Sequence, residues 1–153
     1  MNECPGKWVD PFVRNSVFKG EMFNTNDLNP DIEAKYHADA EWFLGMFDTG
    51  SIDGCLFDPP YSLRQRKECY DSIGIKLTQS DTQDADFSRC KTEISRIVGP
   101  GGIVICCGWS SRGIGMNNNL EMIEILLVPH GGAHNDTIVT VERKLPTTAG
   151  LGI

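Results

Sequence analysis

Apolar residues recur along this chain with two periods, and those periods divide it into helical and extended segments. From Phe87 to Val98 (FSRCKTEISRIV), Phe87, Cys90, Ile94, Ile97 and Val98 share one helical face. Gly99-Pro100-Gly101-Gly102 predicts the end of that helix. Ile103 to Cys107 (IVICC) is an unbroken apolar run, the pattern of a buried parallel strand. Asp53 to Phe57 (DGCLF) predicts another strand, stopping at Pro59-Pro60, where ladder donors are missing. Ile32, Tyr36, Ala40, Phe43, Leu44 and Phe47 mix spacings of three and four, which suits a helix over Ala38 to Phe47. Lys7 to Val9 and Glu21 to Thr25 predict short strands, running into the turns DPFVRNS and Asn26-Asp27-Leu28-Asn29-Pro30. Met122 to Val128 and Thr137 to Arg143 are joined by the Gly-rich PHGGAHND and predict an antiparallel hairpin. Residues 63–83 show no clear period and read as a long loop with one helical turn at most.

Strands alternating with helices, then a closing hairpin, imply an α/β sheet that is mostly parallel with an antiparallel edge. Ligands in such sheets bind beyond the carboxyl ends of the strands. The turns at Asp10, Asp27 and Asp58 each follow a predicted strand, so all three carboxylates are expected at one crevice. At 153 residues the chain is about one domain long. Residues 1–144 are expected to form it, with 145–153 (LPTTAGLGI) as a loose tail.

Composition narrows the function classes. A formal net charge of -7 is awkward for tight, unaided binding of nucleic acid. Arg64, Arg66 and Lys67 form a short basic cluster, read either as a solvated turn or as a nucleic-acid contact. No apolar run approaches a membrane span and no signal peptide opens the chain, so a cytoplasmic protein is expected. The six cysteines lack metal-ligand spacing and read as buried, reduced thiols, with no metal site.

Asp58-Pro59-Pro60-Tyr61 carries the most chemistry. Two prolines fix two backbone angles and remove two N–H donors, leaving carbonyls without ladder partners. Asp58 adds an acceptor and Tyr61 a flat apolar face. Two acceptors and one aromatic face suit an exocyclic amine on a planar base, which stacks while its two hydrogens are held.

This tetrapeptide resembles the (D/N/S)-P-P-(Y/F/W) motif of the S-adenosylmethionine-dependent DNA amino-methyltransferases, which act on adenine N6 or cytosine N4. Asp10-Pro11-Phe12 resembles the opening of their cofactor loop, and Asn26 to Pro30 the end of their second strand. His37-Ala38-Asp39-Ala40 resembles the next element, and GPGGIVICCGW the turn and strand after the catalytic strand. The chain as a whole is similar to short, often phage-borne proteins described as adenine-specific methyltransferases, which would place it in a bacterial host cytoplasm. The likeness implies a class I, Rossmann-like methyltransferase sheet and S-adenosyl-L-methionine as cofactor. It implies catalysis by Asp58, Pro59, Pro60 and Tyr61, and cofactor contacts from Asp10, Pro11, Phe12, Arg14, Asn15, Asp27 and Asp39. In that scheme Asp27 accepts the ribose hydroxyls and Asp39 lies near the cofactor's adenine amine. Ser62, Arg64, Arg66 and His134 are the candidate contacts to the target.

Two departures from the family pattern stand out. The cofactor loop reads Asp10-Pro11-Phe12-Val13-Arg14-Asn15-Ser16, with no glycine. Val17 to Thr25 is too short for the usual helix between the first two strands, so a reduced fold is expected. No substantial target-recognition segment is present either, and a second copy or a partner protein would have to supply it. These departures keep two rival readings open: a protein that binds or degrades S-adenosylmethionine, and an inactive partner subunit of a methyltransferase. His130 to Asp136 reads as a hairpin tip held by Asn and Asp turn chemistry, with a site role as the alternative. Asn117-Asn118-Asn119 reads as a flexible loop, and Trp109 as either core packing or a stacking face.

Overall fold

A computed structural model describes residues 6–83 and 87–147. Its centre is a six-stranded sheet in the order β2-β1-β3-β4-β6-β5, built from β1 (Trp8–Asp10), β2 (Asn24–Thr25), β3 (Ile52–Phe57), β4 (Val98–Gly108), β5 (Leu120–Val128) and β6 (Thr137–Lys144). β1 to β4 run parallel to one another, whereas β6 lies antiparallel between β4 and β5. The expected sheet with its antiparallel closing hairpin is therefore present. Only a 3-10 turn at Lys19–Glu21 lies between β1 and β2, as the short spacing required.

Helices α1 (Ala40–Gly45) and α4 (Ser88–Ile97) pack on each other. Val9, Phe43, Leu44, Ile52, Cys55, Phe57, Ile94, Ile97 and Val104 form a buried core with them. Arg96 fastens the pair: its guanidinium donates to the Phe47 carbonyl at 2.8 Å and to Glu93 at 2.7 Å. The cation thus holds the carbonyl of Phe47 just past the carboxyl end of α1.

Several expectations need correction. Residues 63–83 are not a long loop but contain α2 (Leu63–Ser72) and α3 (Gln79–Gln83). α2 buries only Arg66 and carries Arg64–Glu68 and Lys67–Asp71 pairs one turn apart, so it lacks the apolar stripe that periodicity detects. The Gly99 to Gly102 segment does not separate α4 from its strand, because β4 begins at Val98. It forms an irregularity where pairing with β3 shifts between Ile52–Val98 and Gly54–Ile103. A Cβ at Gly102 would lie 2.6 Å from Val98 Cγ1, so only glycine fits there. The asparagine trio is no open loop either: Asn118 Nδ2 donates to the Ile114 carbonyl at 2.9 Å and Asn119 Nδ2 to that of Leu145 at 3.2 Å. Leu145 thus begins the expected tail tied to Asn119, while residues 148–153 lie outside the described ones. No helix among the described residues is long and apolar enough to cross a membrane.

Candidate active site

The chain leaves β1 toward β2 on one side and returns to β3 on the other. Such a reversal opens a crevice at the carboxyl ends of the strands. Asp10 ends β1, Asp27 follows β2 and Asp58 follows β3, so three carboxylates gather there. Asp10 is 1% exposed and accepts the Phe12 N–H at 2.9 Å. Burial pushes its carboxyl up to about 7; the Phe12 hydrogen bond opposes the rise, and the charges of Asp58 and Asp27 add to it.

Asn26 holds the crevice together. Its Nδ2 donates to the Pro11 and Ala38 carbonyls at 3.1 and 2.9 Å, and its Oδ1 accepts the Ala38 N–H at 3.0 Å. This one buried side chain fixes the loop after β1 and the approach to α1 against the end of β2. Asp27 accepts the Arg14 N–H at 3.0 Å on Oδ2 and the Asn29 N–H at 2.9 Å on Oδ1. Arg14 has φ 38°, so it makes the left-handed turn in this glycine-free loop. Asp39 caps α1, accepting the Glu41 N–H at 2.9 Å.

A cavity of about 230 Å³ opens between these segments, and Pro11, Phe12, Arg14, Asn15, Asp27 and Asp39 all line it. Leu28, Ile32 and Ala40 supply apolar wall, and Cys69 and Tyr70 bring α2 across it. Arg14 Nη2 lies 3.0 Å from Cys69 Sγ, linking loop and helix. A second cavity of about 190 Å³ lies along Pro59, Pro60, Tyr61, Cys107 and Trp109. Pro60 and Phe87 line both, so the two cavities share a wall.

Tyr61 donates its hydroxyl to Asp58 Oδ1 at 2.6 Å, and its N–H goes to Gln65 Oε1 at 2.7 Å. Burial, then the bond to Asp58, raises the Tyr61 phenol well above its ordinary range, so it stays protonated. Its ring meets Trp109 edge-to-face at 5.7 Å, and Trp109 keeps 41% of its surface exposed. Trp109 thus stands at the cavity mouth and not in the core.

The other candidates are scattered. Ser62 Oγ caps α2 through the Gln65 N–H at 3.2 Å. Arg64 points outward onto Glu68. Arg66 is buried, donating to Asp81 Oδ1 at 3.2 Å with its guanidinium 4.3 Å from the Phe87 ring centre. Arg64, Arg66 and Lys67 each have a carboxylate of their own, with Arg64 and Lys67 exposed and Arg66 buried. His134 is exposed on the hairpin tip, where His130 N–H donates to Asp136 Oδ1 at 2.9 Å. Sequence reasoning passed over Cys69, Tyr70, Phe87 and Arg89 in the first cavity, and Lys91 and Arg112 in the second. Lys91 and Arg112 lie in different segments, and nothing in their spacing signals that they line one cavity.

No family model and no curated protein matches the sequence. Solved structures do. The 1,6-didemethyltoxoflavin-N1-methyltransferase of Burkholderia thailandensis, with S-adenosylhomocysteine bound, superposes with a TM-score of 0.59 at 12% identity over 93% of this chain and 72% of its own. The fold is that of a class I methyltransferase. The N-methyltransferase NodS of Bradyrhizobium japonicum WM9 has the same class I arrangement, with a TM-score of 0.56 at 10% identity over 92% of this chain and 87% of that one. TrmN of Thermus thermophilus gives a TM-score of 0.56 at 16% identity over 92% of this chain, which spans only 44% of TrmN. Beyond β2, among the described residues, an isolated parallel bridge joins Asn26 to Tyr36.

Proposed function

We propose that this protein is an S-adenosylmethionine-dependent methyltransferase acting on an exocyclic amine, with adenine N6 of DNA as the target. One observation carries the reading: Pro11, Phe12, Arg14, Asn15, Asp27 and Asp39 line a single cavity that shares Pro60 and Phe87 with the pocket of Tyr61. The donor set fits the cofactor. Asp27 has a lone pair left on each oxygen for ribose hydroxyls, Leu28, Ile32 and Ala40 offer apolar wall to a purine, and Arg14 and Asn15 suit a carboxylate. When bound, S-adenosylmethionine supplies an electrophilic methyl group on a cationic sulfur.

The chain's own residues do the rest. Tyr61 and Trp109 give the base an aromatic wall once it is out of its stack. Asp58 and the Pro59 carbonyl accept the two amine hydrogens, which turns the nitrogen lone pair toward the shared wall. Asp58 would lie beside the positive charge that the amine would gain on taking the methyl group the bound cofactor would supply. The methylated amine is then acidic and sheds its proton, so positioning and electrostatics suffice without a strong base.

DNA binding is expected to be weak or assisted, given the net charge of -7. The edge strand β5 leaves Ile125, Leu126 and Leu127 more than half exposed, which suits a second copy or a partner that supplies target recognition.

Calorimetric titration with S-adenosylmethionine and S-adenosylhomocysteine, on the wild type and Asp27→Ala, tests the cofactor half of the proposal. Micromolar binding lost in the variant supports it, and no binding of either ligand to the wild type sinks it. Asp58→Ala tests the other half: cofactor binding is retained and methylation of adenine-containing DNA is abolished. Full activity in that variant would remove Asp58 from the reaction.

A further inference from the structure

The aromatic wall of the second cavity stands on a segment that no ladder or helix holds. Trp109 follows the last residue of β4, and residues 109–115 belong to neither helix nor strand. Trp109, Ser110 and Gly113 line the cavity together with Pro59, Pro60 and Tyr61. Trp109 and Ser110 are exposed, whereas Gly113 and Ile114 are buried. An irregular segment of this kind would ordinarily leave the ring free to move.

Its anchor is an acid from the sheet. Glu142, in the middle of the sheet on β6, is 0% exposed. Its Oε2 accepts the Ile114 N–H at 2.7 Å and its Oε1 the Gly115 N–H at 2.8 Å, so each carboxylate oxygen holds one of two consecutive amides. The Ile114 carbonyl is taken as well, by Asn118 Nδ2 at 2.9 Å. Gly113, with φ 58°, lies so close that a Cβ there would collide with the Glu142 carboxylate and come within 2.8 Å of Thr140 Oγ1. Burying a carboxylate is costly unless its oxygens are bonded, and charge-assisted bonds to amides are strong ones. An apolar side chain at position 142 would fill the same space without specifying where the loop backbone lies. The acid does specify it.

We infer that Glu142 is a positioning residue for the acceptor: by holding the Ile114 and Gly115 amides it sets the loop that carries Trp109, so the aromatic wall is in place before a base arrives. Being wholly buried, Glu142 touches neither acceptor nor cofactor and acts through Trp109. The inference rests on the proposed function in one respect, that the pocket of Tyr61 and Trp109 receives the acceptor. A wall fixed in advance spares the ordering cost that binding would otherwise carry. Loss of the anchor therefore weakens the acceptor and spares the cofactor, whose cavity is lined by the segments after β1 and β2 and by α1 and α2.

The experiment uses the full chain labelled with 5-fluorotryptophan, whose fluorine spectrum reports Trp8, Trp42 and Trp109 separately once Trp109→Phe has assigned the third line. Glu142→Gln keeps the shape and one acceptor oxygen but turns an amide N–H toward the other backbone N–H. It should broaden or split the Trp109 line and leave those of Trp8 and Trp42 unchanged. Acceptor KM with adenine-containing DNA should rise about tenfold and S-adenosylhomocysteine affinity should change by less than about twofold. Adding Glu142→Gln to Trp109→Ala should raise KM no further, because both act through the same ring, whereas a general loss of fold adds to it. Hydrogen exchange on the wild type needs no variant: the Ile114 and Gly115 amides should exchange as slowly as the ladder amides of β6. Fast exchange at either amide overturns the inference, as does an unmoved Trp109 line in Glu142→Gln or a KM effect that adds to that of Trp109→Ala. A Trp109 line that responds in a protein whose wild type transfers no methyl group to DNA upholds the anchor and removes the acceptor reading instead.

Discussion

The Tyr61 hydroxyl donates to Asp58 Oδ1 at 2.6 Å, so the two polar side chains of the Asp58-Pro59-Pro60-Tyr61 turn are joined before any ligand arrives. The bond orients both: it holds the carboxylate at the turn and stands the ring against Trp109. Ring and hydroxyl can be separated by mutation. Tyr61→Phe keeps the aromatic face and frees one carboxylate oxygen for an incoming amine, so methyl transfer should fall by less than about tenfold. Tyr61→Ala loses the stacking face, worth about 1–3 kcal/mol per base, and KM for the acceptor should rise about five- to 150-fold. Steady-state kinetics of the two variants decide. If the Phe variant is as impaired as the Ala variant, the hydroxyl and not the ring is the functional group.

Arg14 occupies the left-handed region at φ 38° in a loop that contains no glycine. A side chain there costs about 1–2 kcal/mol of backbone strain. Arg14→Gly and Arg14→Ala both remove the guanidinium from the cavity, so they should weaken cofactor binding equally. Only the glycine variant relieves the strain, and it should be more stable than the alanine variant by about 1 kcal/mol in urea denaturation. Equal stability would mean that the turn is not strained; unequal cofactor affinity would mean that backbone shape, not the cation, sets binding.

What the sequence revealed and what it hid follow from the same physics. α4 and β4 were legible because Ile94, Ile97 and Val104 are buried at helical or strand spacing, and hydrophobic pattern is a record of burial. The crevice was legible because turns after parallel strands all open at one end of a sheet. α2 was hidden because its one buried residue is an arginine, and no scale of apolar residues reports a guanidinium lying on Phe87. The second cavity was hidden for a different reason. Lys91 comes from α4 and Arg112 from the loop after β4, and only the fold brings both to one cavity.

Arg66 closes the first cavity as a structural part. It joins α2 to the residue Asp81 of α3, through the carbonyl at 3.1 Å and the carboxylate at 3.2 Å, and covers Phe87. Removing the arginine takes its cation off Phe87 and away from Asp81 Oδ1, while Thr78 still holds the other carboxylate oxygen, a cost of about 1–3 kcal/mol. Arg66→Ala should therefore lower Tm clearly. Arg66→Lys should recover little of the loss, because an ammonium neither spans both acceptors nor lies flat on the ring. Thermal melts of the three proteins test this. Wild-type stability in Arg66→Ala would return the residue to the role of a substrate contact.

Asp10 makes the crevice sensitive to pH near neutrality. Its carboxyl ionises near 3.8 in the unfolded chain and near 7 in the fold, raised first by burial and then by Asp58 and Asp27 against the opposing Phe12 hydrogen bond. The folded state therefore binds an extra proton between those values. The stability this confers is full below about pH 4, is lost as pH rises toward 7, and then levels off, a change of roughly a few kcal/mol. Asp10→Asn keeps an acceptor for the Phe12 N–H and should flatten that slope, leaving the variant the more stable protein at pH 8. A cation nearby reverses the pressure on Asp10, since an opposite charge favours the ionised carboxylate. Binding of S-adenosylmethionine at pH 7 should accordingly release a fraction of a proton, whereas S-adenosylhomocysteine, with a neutral sulfur, should release little. Calorimetry in phosphate and in Tris reads this directly, because released protons add the ionisation heat of the buffer. The two buffers should give different heats for the sulfonium ligand with the wild type and the same heat with Asp10→Asn. Identical heats in the wild type would show that the sulfonium does not reach the field of Asp10, and the cofactor would then have to lie elsewhere in the cavity.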